Sequence, residues 1–165
     1  MTFQQPFYGL ALWNHTGPLL APYAVDLTTE QVGSLFVDEQ LDTGNSMQRA
    51  TWDIQHFDSE YRHFVANHMI TITWWRIPWK EDVTKRFSFQ LSLVSDGTQT
   101  FIVIVYETPA PEPALYTEYR DGEGCINQIW SSSSWNKLLH HYTNNGHQGR
   151  FIFPLVPKNC LQTRK

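Results

Sequence analysis

The side chains best suited to chemistry in this sequence are its histidines. His140 and His141 are adjacent and His147 follows closely, while His63 and His68 are five positions apart. Two histidines that bind one metal ion from a single helix face are usually four positions apart, and adjacent residues on a regular element point in different directions. No H-E-x-x-H sequence occurs either. We therefore predict surface or turn positions for these histidines and no metal site.

Sequence signatures of other reactive sites are missing as well. The serine run 131–134 lacks the flanking glycines of a nucleophile elbow, and neither G-x-x-x-x-G-K nor G-x-G-x-x-G occurs. The acidic loop, residues 121–124, alternates two acids with two glycines, but it lacks the regular oxygen ligands and the distal Glu of an EF-hand. The sequence therefore predicts no catalytic residue and no cofactor.

Composition predicts one folded domain and excludes two kinds of partner. Of the 165 residues, 41% are hydrophobic and 17% are charged, which suffices for one hydrophobic core. The formal net charge is −4 and no segment concentrates basic residues, so nucleic acid is not expected as a partner. The longest apolar stretch, residues 101–106, is too short to span a bilayer, so membrane insertion is not expected.

Alternating hydrophobicity predicts a mainly β fold. Residues 87–93 carry an apolar side chain at every second position, a turn with Gly97 follows, and the apolar residues 101–106 return to complete a hairpin. Further strands are predicted at residues 23–27, 34–38, 70–75 and 151–155. These strands indicate antiparallel sheets in a sandwich-like packing with one or two flanking helices, an α+β fold dominated by β structure.

Between residues 46 and 67 the spacing of apolar residues becomes helical. Asp58 or Ser59 is a candidate cap for the second half of this segment. The residues that recur every three or four positions, and that we predict on one buried stripe, are Trp52, Phe57, Tyr61, Phe64 and Val65.

Three tryptophans lie near the end of one predicted strand. Trp74 and Trp75 are adjacent there, and Trp79 follows Pro78. Because successive strand residues point to opposite sides, Trp74 and Trp75 cannot both lie in a core on one face. We predict that Trp74, Trp75 and Trp79 are contact anchors for a partner; burial of both faces beneath the helix is the alternative.

Two kinds of modification site depend on the compartment. Asn14 begins an N-glycosylation sequon, and Cys125 and Cys160 provide the even number of thiols that one disulfide needs. Two reduced cytosolic cysteines would look the same in the sequence. Residues 1–14 show neither the basic start nor the apolar run of a secretory signal peptide.

Five short blocks of sequence occur in a characteristic order. They are residues 21–26, 33–37, 72–77, 89–97 with Phe101 and Tyr106 after them, and 149–153. Together they resemble the NIDO (nidogen-like) domain family, as in nidogen, alpha-tectorin and membrane mucins. The resemblance covers about residues 21–153 and implies a single NIDO-like domain over residues 1–165.

The resemblance also implies a function. We expect a non-enzymatic extracellular module, secreted or part of an ectodomain, that takes part in cell-matrix adhesion or matrix assembly. Its partners would be extracellular matrix or cell-surface proteins, with Asn14 glycosylated and Cys125 joined to Cys160. The alternative is a small soluble hydrolase or ligand-binding protein that uses His140, His141 and the acidic loop.

Overall fold

The computed structural model describes residues 19–22, 33–41, 43–79, 82–106, 116–120, 126–131, 146–147 and 149–155. Within these residues the chain forms helix α1 (Asn45–Phe57), a 3₁₀ turn (Ser59–Tyr61) and eight strands. The strands are β1 (Leu19–Ala21), β2 (Ser34–Gln40), β3 (His68–Pro78), β4 (Arg86–Ser95), β5 (Thr100–Tyr106), β6 (Tyr116–Arg120), β7 (Ile126–Ser131) and β8 (Arg150–Pro154).

All pairs of the described strands are antiparallel, and these strands form two sheets. The larger sheet has the order β2-β3-β4-β5-β8, and the smaller one has the order β1-β6-β7. The prediction of a mainly β fold of antiparallel sheets with a flanking helix is confirmed. In the described part of the chain no helix is long and apolar enough to cross a membrane.

The turn between β4 and β5 sets the register of the central hairpin. Gly97 has φ 93°, a conformation that most other residues avoid, and the Asp96 carboxylate accepts the N–H groups of Thr98 and Gln99 at 2.8 and 2.7 Å. Burial alone would raise the pKa of Asp96, but the N–H groups of Gln99 and Thr98 outweigh burial and lower the pKa below its ordinary value. The predicted hairpin is confirmed.

The middle of the larger sheet is covered on both faces, because alternate residues of its strands point to opposite sides. On one face, Leu20 of β1 packs against a core cluster. The cluster is made of Phe87, Phe89, Leu91, Ile102, Ile104, Tyr106 and Phe151. Helix α1 covers the other face, where the cluster is Met47, Ala50, Ile54, Phe64, Ala66, Met69, Val94, Phe101, Val103 and Ile152.

A buried carboxylate joins helix α1 to the edge strand β8. Asp53 is 1% exposed and accepts a hydrogen bond from Nε of Arg49, one helical turn earlier, at 3.0 Å. Its second oxygen accepts from the guanidinium of Arg150 at the start of β8. A buried charge is unfavourable unless it is paired, so the two arginines allow Asp53 to occupy the layer between helix and sheet.

Two glycines lie where backbone segments meet closely. Gly149 has φ 71°, and a Cβ atom there would stand 2.8 Å from the carbonyl oxygen of Tyr106. Gly33 has φ 102°, and its Cβ atom would stand 2.9 Å from Cδ1 of Ile77. Both positions therefore require glycine for conformation and for space. Gly149 immediately precedes strand β8, and Gly33 immediately precedes strand β2.

The helix prediction over residues 46–67 was too long, although Asp58 caps the second half of the segment as predicted. Helix α1 ends at Phe57, because Asp58 takes an extended conformation and its side chain accepts the N–H of Glu60 to start the 3₁₀ turn. The helical period stops there, so Val65 is 62% exposed instead of buried. Trp52 is also exposed, at 42%, whereas Phe64 is buried as predicted.

The strand predictions were confirmed where the structure describes them. The predicted strands at 34–38, 70–75, 87–93, 101–106 and 151–155 correspond to β2, β3, β4, β5 and β8. The predicted strand at 23–27 lies outside the described residues. Strands β6 and β7 were not predicted, because the prolines at positions 109, 111 and 113 and the acidic loop suggested irregular structure.

We predict that Asp53→Ala lowers the free energy of unfolding by about 3 kcal/mol. This is the lower end of the range for breaking a buried ion pair, because Arg49 and Arg150 keep 52% and 24% of their side-chain surface in water and can be solvated. Urea denaturation measures the change, with Asp38→Ala on the exposed strand β2 as the matched control. A loss below about 1 kcal/mol would show that the ion pair is not structurally important.

Candidate interaction surface

Strand β2 carries large apolar side chains that the fold leaves in contact with water. Leu35, Phe36 and Val37 are 43%, 54% and 61% exposed. Strand β2 is at one end of the larger sheet, and among the described strands none lies on its outer side. A run of three exposed apolar residues on an edge strand is unusual, because such edges promote association.

The position of β2 explains why both of its faces are open. Helix α1 and Leu20 of β1 pack on clusters to which β2 contributes no residue. Leu35 and Val37 lie opposite Trp74 and Ile72 of β3, on one face of the sheet. Phe36 lies opposite Thr73 on the other face. The fold therefore presents apolar side chains on both sides of one strand.

A β-bulge in strand β3 extends this surface. The register of β3 against β4 shifts between Trp74 and Ile77, and Arg76 within the bulge has φ 49°. Its backbone N–H donates to the Ser88 hydroxyl at 3.0 Å, which holds the bulge in place. Bulges redirect side chains at sheet edges. Here Trp75 is 44% exposed.

We define the β2 surface as Leu35, Phe36, Val37 and Trp75. Trp75 lies opposite Ser34 and is therefore on the same face as Phe36, in a diagonal position. Diagonal neighbours in a sheet are within reach of each other when the side chains are aromatic. Phe36 and Trp75 thus form one exposed aromatic area.

The far end of β2 is acidic. Asp38 Oδ2 accepts a hydrogen bond from the Gln40 amide at 2.6 Å, and Glu39 Oε1 lies 2.9 Å from Nε2 of His68 on β3. Both contacts are exposed. The strand is therefore apolar in its first half and negatively charged in its second half.

The three predicted tryptophan anchors have different surroundings. Trp74 is half-buried and stacks on Phe89, with the ring centroids 4.6 Å apart. Trp79 packs against the same core cluster, and the Lys85 ammonium lies 5.2 Å from the centroid of its ring. Only Trp75 among the three is exposed. The assignment of all three as anchors stays a prediction, and the surroundings favour Trp75.

Trp52 is a second exposed tryptophan, although the sequence predicted it on the buried stripe. Side chains of its own helix contact its ring. The Trp52 ring stacks on His56 with centroids 4.0 Å apart, and the Arg49 guanidinium lies 5.0 Å from its centroid. These neighbours are four and three positions away, the spacing that brings side chains together on a helix. His147 approaches the ring at 5.7 Å. Trp52 is therefore held by contacts within its own helix, and its 42% exposure is the surface that remains beside them.

The described histidines make contacts with other side chains or with the backbone. His63 accepts from Arg62 at 3.1 Å, and His68 meets Glu39. Among the described residues no group of three or more potential ligands could hold a metal ion. His140, His141, the acidic loop, Asn14, Cys125 and Cys160 lie outside the described residues, so the expectations for them stay predictions.

A comparison with protein-family models identifies the family of the chain. The model of the Nidogen-like domain (NIDO) matches residues 1–156. No curated protein and no solved structure gives a significant match. The match includes β1 to β8, and therefore the whole β2 surface.

We predict that Phe36→Thr changes the free energy of unfolding by no more than about 0.5 kcal/mol, because the side chain is exposed and threonine suits a strand. Phe89→Thr, in the same sheet but only 2% exposed, should cost about 3 kcal/mol or more. Thermal and urea denaturation of the two variants test this. Equal losses would mean that Phe36 is part of the folding core.

Proposed function

The chain belongs to the nidogen-like domain family, and on that basis we propose that it acts in cell-matrix adhesion or matrix assembly by binding other proteins. The family is one of extracellular, non-catalytic modules. The observation that carries the proposal is the exposed β2 surface. Such a module needs a contact area that its own fold does not require, and Phe36 and Trp75 provide one.

The composition of the β2 surface supports binding to a protein. Aromatic residues are enriched in the buried centres of interfaces, and tryptophan is prominent among the residues that contribute most binding energy. Trp75 is held by the bulge of β3, so its backbone is already fixed before a partner arrives. A fixed anchor loses less entropy on binding.

The alternative of a hydrolase or small-ligand protein has no support in the described residues or in the family match. Polar groups in the described residues stabilise the fold: Asp53 pairs with arginines, and Asp82 accepts from the Thr84 hydroxyl at 2.6 Å, which lowers the pKa of Asp82. Thr71 and Ser92 share a buried hydrogen bond of 2.9 Å between β3 and β4. These are structural contacts.

An extracellular module passes through the secretory route, where glycosylation and disulfide formation occur. We therefore propose a glycan on Asn14 and a bond between Cys125 and Cys160. Both features would suit a domain that works outside the cell.

We predict that the chain, expressed with an added secretory leader, loses mass on glycosidase treatment and shows no alkylated cysteine when reductant is omitted. Asn14→Gln should abolish the glycosidase shift, and prior reduction should expose the thiols of Cys125 and Cys160. Intact-protein mass spectrometry measures both. An unmodified Asn14 together with two alkylated thiols would count against an extracellular protein.

Binding is tested with cell-derived matrix. We expect the secreted protein to be retained on matrix and Trp75→Ser to reduce retention about tenfold or more, as for loss of an interface anchor. Trp52→Ser is the matched control, because Trp52 is exposed to a similar extent, 42% against 44%, but lies on helix α1 and not on the β2 surface. Equal retention of the two variants, with both folded, would remove the β2 surface from the proposal.

A further inference from the structure

The outer edge of β2 has the properties of a strand that pairs with another strand. It is seven residues long, exposed, and without a neighbour among the described strands on its outer side. In an antiparallel sheet, alternate backbone N–H and C=O groups of an edge strand point outward and can pair with a further strand. Apolar edge strands of this length are usually protected by charges, prolines or a covering element. Within the described part of the chain, the first half of β2 has no such protection.

The sequence of β2 is nearly symmetric in residue type about Phe36. Leu35 and Val37 flank it on both sides, and Ser34 and Asp38 follow as polar residues. An antiparallel pair of identical strands is related by a two-fold axis, so each residue type must suit the residue at the mirrored position. Residues 34–38 meet this requirement.

We propose that two copies of the chain pair through β2 about a two-fold axis at Phe36. Phe36 then lies opposite Phe36 of the copy, and Leu35 lies opposite Val37 of the copy. Ser34 lies opposite Asp38 of the copy, where its hydroxyl donates to the carboxylate. The two five-stranded sheets become one continuous sheet of ten strands. This rests on the proposed function and names another copy of the domain as one of its partners.

The charges at the end of β2 select this register over its neighbours. An axis at Val37 would place Leu35 opposite Glu39 and Phe36 opposite Asp38, so two of the three apolar residues would meet an acid. An axis at Asp38 would bring two aspartates face to face, which is unfavourable in a sheet. The axis at Phe36 places all three apolar residues opposite apolar residues and keeps the acids apart. The acidic half therefore acts against strand slippage.

Pairing along the edge of β2 leaves the side chain of Trp75 exposed for contact with matrix. Trp75 is on β3, one strand further in, opposite Ser34. A dimer would carry two such tryptophans on the same face of the continuous sheet. Self-association and contact with matrix are therefore compatible, and a dimer would bind matrix more tightly than a single copy through avidity.

The interface is small, so the association should be weak. Pairing of five residues buries less surface than a stable dimer needs, which places the expected dissociation constant in the range of about 10 to 100 µM. Sedimentation velocity of the full chain between about 1 and 300 µM covers that range. We expect reversible, concentration-dependent dimers. A monomer throughout would overturn the proposal.

Two matched substitutions at Ser34 test the register. Ser34→Lys places a lysine opposite Asp38 of the copy twice per dimer, and should tighten the dimer about fivefold; Ser34→Asp places like charges there and should weaken it about fivefold. Added salt should reduce both effects. The same response to both substitutions would overturn the proposed register.

A substitution of Phe36, the residue at the two-fold axis, tests whether β2 forms the dimer. Phe36→Lys brings two charges together at the centre and should abolish dimers without unfolding the chain, which urea denaturation checks. A dimer that persists in folded Phe36→Lys would show that another surface forms it and would overturn the proposal. If the chain is a monomer yet Trp75→Ser still lowers matrix retention, this inference fails and the proposed function stands. If the chain forms dimers but is not retained on matrix, the proposed function fails and the pairing through β2 stands.

Discussion

The pairing of the Asp53 carboxylate with Arg49 and Arg150 fixes where helix α1 lies on the sheet. Hydrophobic contact alone would hold Met47 and Ile54 against many positions on an apolar sheet face, because such contact has no preferred direction. A buried carboxylate is different, since displacement would leave its charge unpaired. The helix is thus tied to β8, at the end of the sheet opposite to β2.

The position of helix α1 makes burial uneven across the larger sheet. The helix and the contacts of β1 cover the strands around β4, β5 and β8, whose central residues are fully buried. Strand β2 lies beyond β3 and contributes no residue to either buried cluster. The exposure of Leu35, Phe36 and Val37 is therefore a consequence of where the helix docks, and of the position of β2 in the strand order.

The bulge in β3 adds a second feature to the same region. Arg76 adopts a positive φ, and Gly33 fits against the backbone of Arg76 and Ile77 with no space for a Cβ atom. Backbone strain of this kind persists only where the surroundings impose it, and it is common near functional sites. The bulge, the glycine and the exposed Trp75 all lie at the beginning of β2. This concentration supports a binding role for that end of the sheet.

The sequence by itself determined the strands β2, β3, β4, β5 and β8 and the family of the chain. Alternation of side chains is a local signal, and Gly97 marks its turn by a local requirement for positive φ. Tertiary structure alone decided which strand became the edge, and that Trp74 stacks in the core while Trp75 and Trp52 are exposed. Strand order and burial depend on contacts between distant segments, such as Asp53 with Arg150, and no local pattern records them.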